Sequence, residues 1–170
     1  MPPELPGAAR LGLTCRPMTD EDLPFVAELF ASTRAEEVAL TGWPAEQQRA
    51  FLSFQHEAQH RHYRTANPDA EWLILERAGE PIGRLYLLER EELFHIIDIA
   101  LIPAARSGGV GGAILADLIA AARASRRRVT INVERNNPAL RLYDRLGFAT
   151  IGEFGVYLQL EWRAQPLVDQ

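Results

Sequence analysis

A single cysteine, Cys15, stands among 170 residues, so no disulfide can close within the chain. That excludes the disulfide-stapled secreted scaffolds and makes a reducing, cytoplasmic setting the expectation. Cys15 lies in the alternating stretch "RLGLTCRP" and reads as a small strand residue, not as a nucleophile. Positive charge is also in short supply. Eighteen basic side chains against 23 acidic ones leave a net charge of -5, with a pI near 5.4. No basic field is there to draw nucleic acid or an anionic membrane. No apolar run has the length of a membrane span. The start, "MPPELPGAAR", lacks the charged and apolar regions of a signal peptide, and residues 1–8 read as a flexible tail.

What is present is ordinary globular material: 47% hydrophobic and 24% charged residues. The length suits one domain with a real core, expected over residues 9–163, followed by a C-terminal tail at 164–170. "RLGLTCRPM" alternates as a short strand. Thr19 or Asp20 can then cap a helix through "TDEDLPFVAELFAS", with acidic residues in its first turn. "PAEQQRAFLSFQHEAQHRHYR" repeats apolar groups at helical spacing from Pro44 onward. "EWLILER", "IGRLYLLER" and "LFHIIDIALIP" are β-rich segments with tight connections, predicting an antiparallel meander.

A glycine-rich loop and the helix "GGAILADLIAAARAS" follow, then the strand "RVTINVE". "NPALRLYDRLGF" predicts a short helix ended by Gly147, and "ATIGEFGVYLQLEW" one or two closing strands. The fold class expected is α+β: a mixed central sheet, mostly antiparallel, flanked by about four helices. Parallel pairing is confined to the strand–helix–strand unit around residues 95–133.

Within "IALIPAARSGGVGGAILADL" the glycines fall at 108, 109, 111 and 112, where a helix must begin. Glycine costs a helix about 1 kcal/mol relative to alanine, so something must offset it. The first amides of a helix lack internal acceptors and sit at the positive end of its dipole. Glycines let a phosphate approach that backbone and permit left-handed torsions. No lysine with Ser or Thr follows, which excludes an ATP-binding P-loop, and the G-x-G-x-x-G spacing of dinucleotide folds is absent.

The remaining pattern is R-x-x-G-x-G at Arg106, Gly109 and Gly111. It resembles motif A of the GNAT acetyltransferase superfamily. A second stretch, "NNPALRLYDRLGF", is similar to the family's N-x-x-A-x-x-L-Y-x-x-x-G-F, matched at Asn136, Ala139, Leu142, Tyr143, Gly147 and Phe148. The resemblance runs from about Leu11 to Trp162. It implies a GNAT-like fold and transfer of an acetyl group from acetyl-CoA to an amine by direct attack in a ternary complex. By the same resemblance, Arg106, Ser107, Gly108, Gly109, Val110, Gly111 and Gly112 hold the pyrophosphate. Ile99 and Leu101 pair through main-chain groups with the pantetheine arm, and Asn136 bonds to it. As a plain helix-initiating residue Asn136 is nearly as well explained.

Tyr143 matches the tyrosine aimed at the thioester sulfur; its phenol (pKa about 10) can hydrogen-bond or protonate a thiolate whose parent pKa is about 8.5. As a core tyrosine beside Leu142 and Leu146 it has a second reading. His95 falls where some relatives carry a basic glutamate, and an imidazole suits proton removal at neutral pH. Two-residue alternation predicts His95 and Asp98 on opposite faces, with Asp98 as a buried structural carboxylate. The acceptor implied is a small-molecule or peptide amine, not a nucleic acid or membrane, and a homodimer is compatible with the family.

A rival pattern is His56-Glu57-Ala58-Gln59-His60, a literal H-E-x-x-H of the kind that holds catalytic zinc. No downstream helix offers a third ligand and the flanks are polar, so a solvated helix face is the favoured reading, with no metal. Glu57, His60 or Tyr63 can instead line the acceptor pocket. A zinc hydrolase on these histidines and a non-catalytic acyl-CoA-binding module are the alternatives to the transferase. "RASRRR" reads as a solvated basic helix end.

Overall fold

The computed structural model describes residues 3–166. In chain order the elements are α1 (Pro6–Arg10), β1 (Leu13–Pro17), α2 (Leu23–Ala39), α3 (Ala45–Ala66), β2 (Glu71–Arg77), β3 (Glu80–Glu89) and β4 (Leu93–Leu101). Then follow α4 (Val110–Ser125), β5 (Arg128–Glu134), α5 (Leu140–Arg145), β6 (Ala149–Phe154) and β7 (Tyr157–Trp162). The strands form one seven-stranded sheet in the order β1-β2-β3-β4-β5-β7-β6. Among the described residues only β4 and β5 run parallel; every other pair is antiparallel. The expected mixed sheet and its one parallel crossover are both found. No helix among the described residues is long and apolar enough to cross a membrane.

Local chemistry explains the element ends. The Asp22 carboxylate accepts from the Thr19 amide at 2.8 Å and from Arg16 at 2.7 and 2.8 Å, closing a capping box ahead of α2. Gly147, at φ 94°, follows the end of α5 in the left-handed conformation that the sequence predicts. Neither asparagine caps α5, whose N-cap is Ala139 with no side-chain cap; Asn137 Oδ1 instead accepts the Ala139 amide at 2.8 Å and closes the turn that leads into the helix.

Residues 6–8, expected within a tail, are instead part of α1, with Ala8 only 2% exposed. The cause lies 110 residues away. Asp117 on α4 accepts the Gly7 and Ala8 amides at 2.9 Å each, satisfying donors that begin a helix. Of the C-terminal tail, only residues up to 166 lie within the described range.

One sheet face is apolar. Leu73, Leu75, Leu85, Leu87, Phe94, Ile96, Val129 and Ile131 pack there with Val110, Ile114, Leu115 and Leu118 of α4. Cys15 on β1 packs against the same cluster, half-buried, and burial pushes its thiol up to about 11. The other face lies under α2 and α3, where Phe30, Val38 and Leu52 make a second, smaller cluster.

Two irregularities shape the centre. Tyr86 pairs with Asp98 but Leu87 pairs with Ile96, so Ile97 is an extra residue, a β-bulge in β4. Cross-strand partners share a face, and the bulge therefore puts His95 (opposite Leu88) and Asp98 (opposite Tyr86) on the same one. This corrects the opposite-face expectation, which assumed unbroken alternation. Second, β4 and β5 pair only from Leu93↔Arg128 to Ile96↔Ile131 and then part.

Gly83 sits where β3 passes the end of β4. A Cβ there would run into the Ala100 carbonyl oxygen and stand 2.8 Å from Leu101 Cδ2. Gly83→Ala is expected to destabilise the domain by about 2–3 kcal/mol, because backbone has to move. A thermal melt checks it; an unchanged midpoint would show that β4 yields freely.

Candidate active site

The parting of β4 from β5 leaves the β5-facing edge of β4, from Ile97 to Leu101, without a strand partner among the described residues. Ile99 and Leu101 lie on that edge and their side chains pack against the apolar core. Beyond it comes the glycine loop. Ser107 (φ 65°) and Gly109 (φ 79°) are both left-handed, and Gly109 is the N-cap of the 16-residue helix α4. The Ala113 amide closes the first turn on the Gly109 carbonyl at 2.9 Å, so the amides of Val110, Gly111 and Gly112 stand at the open end of the helix. A Cβ at Gly108 would meet nothing within 4 Å, and one at Gly112 only Leu142 Cδ1 at 3.6 Å. The chain's own packing does not demand glycine at either place, whereas close approach of a ligand backbone-first would.

Arg106 does not extend over the loop in this structure. Its Nε donates to the Leu101 carbonyl at 3.0 Å and its Nη2 to Ser32 Oγ on α2 at 3.3 Å. Asn136 is exposed at the turn after β5.

Tyr143 on α5 is 3% exposed and meets Phe148 edge-on, with ring centroids 5.5 Å apart. Its hydroxyl pKa is pushed up to about 12, by burial first and then by the negative charge of Asp98. The ring of Tyr143 is part of the core, as one of its two readings expects, and its hydroxyl lies within the field of Asp98. His95 Nδ1 is 2.8 Å from Thr130 Oγ1, and burial lowers its pKa, keeping the ring neutral. To act as a base it needs the tautomer in which Nδ1–H donates to Thr130 and Nε2 stays open.

Sequence reasoning missed the charge at the centre of this face. Arg84, only 3% exposed, forms an ion pair with Asp98, donates to Gln59 Oε1 at 3.0 Å and lies 4.9 Å over the Tyr86 ring. Among the described residues its Nε has no partner, nor does His56 Nε2. The one available signal was the arginine itself, set in the apolar run "IGRLYLL", where a buried charge demands a partner.

The histidines of "HEAQH" face this cluster. His56 is 5% exposed and Glu57 points to solvent, so the solvated-face expectation fails for His56. Burial, then the charge of Arg84, then His60 drive the His56 pKa down to about 4. A guanidinium beside both imidazoles opposes a divalent cation. Among the described residues no group of three His, Cys, Asp or Glu side chains is arranged to hold a metal ion. Three of the four "RASRRR" arginines are engaged too, Arg123 lying 5.4 Å from the Trp162 ring centre. Arg127 pairs with Glu89, and Arg128 Nη1 donates to Glu161 at 2.9 Å.

A cavity of about 440 Å³ opens beside the cluster, walled by Phe30, Phe54, Tyr63 and Tyr157, with Arg34 and Gln59 among its polar lining. Tyr63 thus does line a pocket; Glu57 and His60 do not.

The model of the acetyltransferase (GNAT) family matches residues 33–148, more than half of the chain. The chain belongs to the GNAT family. Solved structures show the same fold at low identity. The PaiA N-acetyltransferase from Thermoplasma acidophilum, in complex with coenzyme A, has a TM-score of 0.65 at 15% identity, covering 89% of this chain and 99% of its own. A GNAT family acetyltransferase from Elizabethkingia anophelis with acetyl-CoA bound has a TM-score of 0.57 at 19% identity, covering 90% and 99%. A GCN5-related N-acetyltransferase from Rhodopseudomonas palustris has 0.60 at 21%, covering 89% and 95%. No curated protein matches the chain in sequence. In this GNAT chain the glycine loop, the parted strands and Tyr143 all fall within or at the border of the matched span.

The buried His56 predicts a pH dependence of stability. Its folded pKa is below the ordinary 6.5, so the unfolded chain binds the extra proton between pH 6.5 and about 4. Stability is therefore full above pH 6.5 and falls as pH drops toward 4, by up to about 3 kcal/mol from this group. Urea midpoints across that range should fall less steeply for His56→Leu than for wild type.

Proposed function

We propose that this GNAT domain is an N-acetyltransferase that binds acetyl-CoA at the glycine loop and acetylates a primary amine by direct attack. The observation that carries the proposal is the open amide end of α4, beside a β4 edge that β5 has left. The solved neighbours holding coenzyme A or acetyl-CoA support the same donor. In this reading residues 106–112 hold the pyrophosphate, with Arg106 swinging from Leu101 and Ser32 to reach it. The main chain of Ile99 and Leu101 pairs with the pantetheine arm, and Asn136 bonds it from the facing turn.

The amine enters from the α2–α3 side. Asp98 draws in its ammonium form, and neutral His95 accepts the proton that leaves the nitrogen. The nitrogen lone pair attacks the thioester carbonyl, and the carbon–sulfur bond breaks with its electrons on sulfur. The attacking nitrogen gives its second proton to the departing thiolate, so the products are an N-acetylated amine and the free thiol, with the first proton left on His95. Tyr143 acts as a hydrogen-bond donor to that sulfur. Proton transfer from a phenol at about 12 to a thiolate of parent pKa about 8.5 runs uphill by about 5 kcal/mol, so donation without transfer is favoured. A zinc hydrolase gains no support from residues crowded by Arg84. A CoA-binding module without turnover differs from the enzyme only in activity, and thiol release over a panel of amines separates them.

Arg106→Glu is expected to weaken acetyl-CoA binding severely by charge, and Gly109→Val by straining a φ of 79° and blocking backbone approach. Calorimetry on the folded variants decides it; unchanged affinity would sink the loop assignment. Tyr143→Phe keeps the buried ring. It should leave the melting temperature near wild type while kcat and kcat/KM fall together by roughly 10- to 100-fold. Full turnover in this variant would remove Tyr143 from the chemistry.

A further inference from the structure

We infer that the acceptor is an amino acid with an apolar side chain, its carboxylate held by Arg34. The inference rests on the amine-acetylation reading above and adds the substrate class. Arg34 projects from α2 into the aromatic-walled cavity, its guanidinium carbon 5.7 Å from the Phe30 ring centre. Its Nη1 donates to Glu134 Oε1 at 2.8 Å and lies 3.6 Å from Glu37 Oε1. Both of its ion pairs use that one nitrogen. A guanidinium offers paired N–H groups along its edges, and the Nε–Nη2 edge matches the two oxygens of a carboxylate. No hydrogen bond within the described residues uses that edge, and neither atom is sealed away from solvent.

The site is built rather than incidental. Glu134 ends β5, opposite Tyr157 in the β5–β7 register, and pins the guanidinium before any ligand arrives. Ordering already paid in the free protein strengthens binding. The competing acid is weak: the Glu37 side chain is 58% exposed and its contact long. Tyr63 connects this corner to the reacting centre: it lines the cavity with Arg34 and meets the Tyr86 ring edge-on at 6.4 Å, and Tyr86 is the cross-strand partner of Asp98. Phe30, Phe54, Tyr63 and Tyr157 leave apolar wall for a side chain. A carboxylate at Arg34, an amine toward Asp98 and an apolar body between the rings describe an amino acid, released as its N-acetyl derivative.

Matched pairs test this: phenylalanine against phenethylamine, and leucine against isoamylamine, each assayed with acetyl-CoA on wild type, Arg34→Met and Arg34→Lys. The amino acid should be favoured in kcat/KM by roughly 10- to 150-fold, the range of a charge-assisted hydrogen-bonded pair. Arg34→Met should erase that preference by weakening the amino acid alone. Arg34→Lys, which keeps the charge and the Glu134 partner, should retain part of it and decides the matter if the Met variant does not fold. Equal or better use of the decarboxylated amines by wild type, or a preference that survives both substitutions, overturns the inference. Binding of phenylalanine and of phenethylamine without acetyl-CoA is measured in parallel by thermal shift. If nothing is acetylated while phenylalanine alone binds, and does so through Arg34, the transfer reading fails and the carboxylate site stands.

Discussion

Two neighbouring strands at the middle of this sheet run in register for four residue pairs and then separate, while one of them carries an extra residue at the point of separation. Each feature needs the other. β5 is held along its other edge by β7 through Glu134, so β5 keeps its course. β4 is held along its other edge by β3 to Gly83↔Leu101, and the bulge at Ile97 adds the local twist that turns it away. An edge of a central strand is thereby exposed inside the domain, an arrangement a regular sheet never offers.

The same extra residue governs charge. It rotates Asp98 onto the face that already holds Arg84, and a guanidinium so deeply buried is tolerable only with that carboxylate beside it. Without the bulge Asp98 would enter the apolar core under α4, and Arg84 would lose its counter-ion. The two faces of the sheet consequently differ in kind. One is continuous hydrocarbon supporting α4 and its loop; the other is polar at its centre, with His56, Gln59, Tyr63 and Arg84 converging from α3 and β3. The parting of the strands joins them, which is how Tyr143, packed in the apolar core, comes within the field of Asp98.

Elements whose cause is local were legible in the sequence. The glycine loop, the capping Thr19, the terminating Gly147 and the alternating strands each announce themselves within a few residues. Features caused by distant partners were not. Nothing near Pro6 foretells a helix whose first donors are satisfied by Asp117. Nothing in "LFHIIDIALIP" marks Ile97 as the odd residue, and missing it reverses the face of every side chain after it. Arg34, in the middle of a helix that reads as generic, acquires meaning only when Glu134 arrives from β5. The histidine pattern misled for the converse reason: its spacing is local, while the guanidinium opposite it is not.

Cys15 has a bearing on any thioester this fold handles. Acyl groups pass readily from one sulfur to another, and a protein that holds a thioester is exposed to transthioesterification onto its own cysteine. Exchange needs the thiolate. With its pKa pushed up to about 11, Cys15 is ionised in only about one molecule in 10,000 at pH 7. It also lies on β1, with β2 and β3 between it and the parted edge of β4, about 14 Å away across the sheet. The only thiol of the chain is thus kept both protonated and distant, so transthioesterification onto the protein has no cysteine to receive the acyl group.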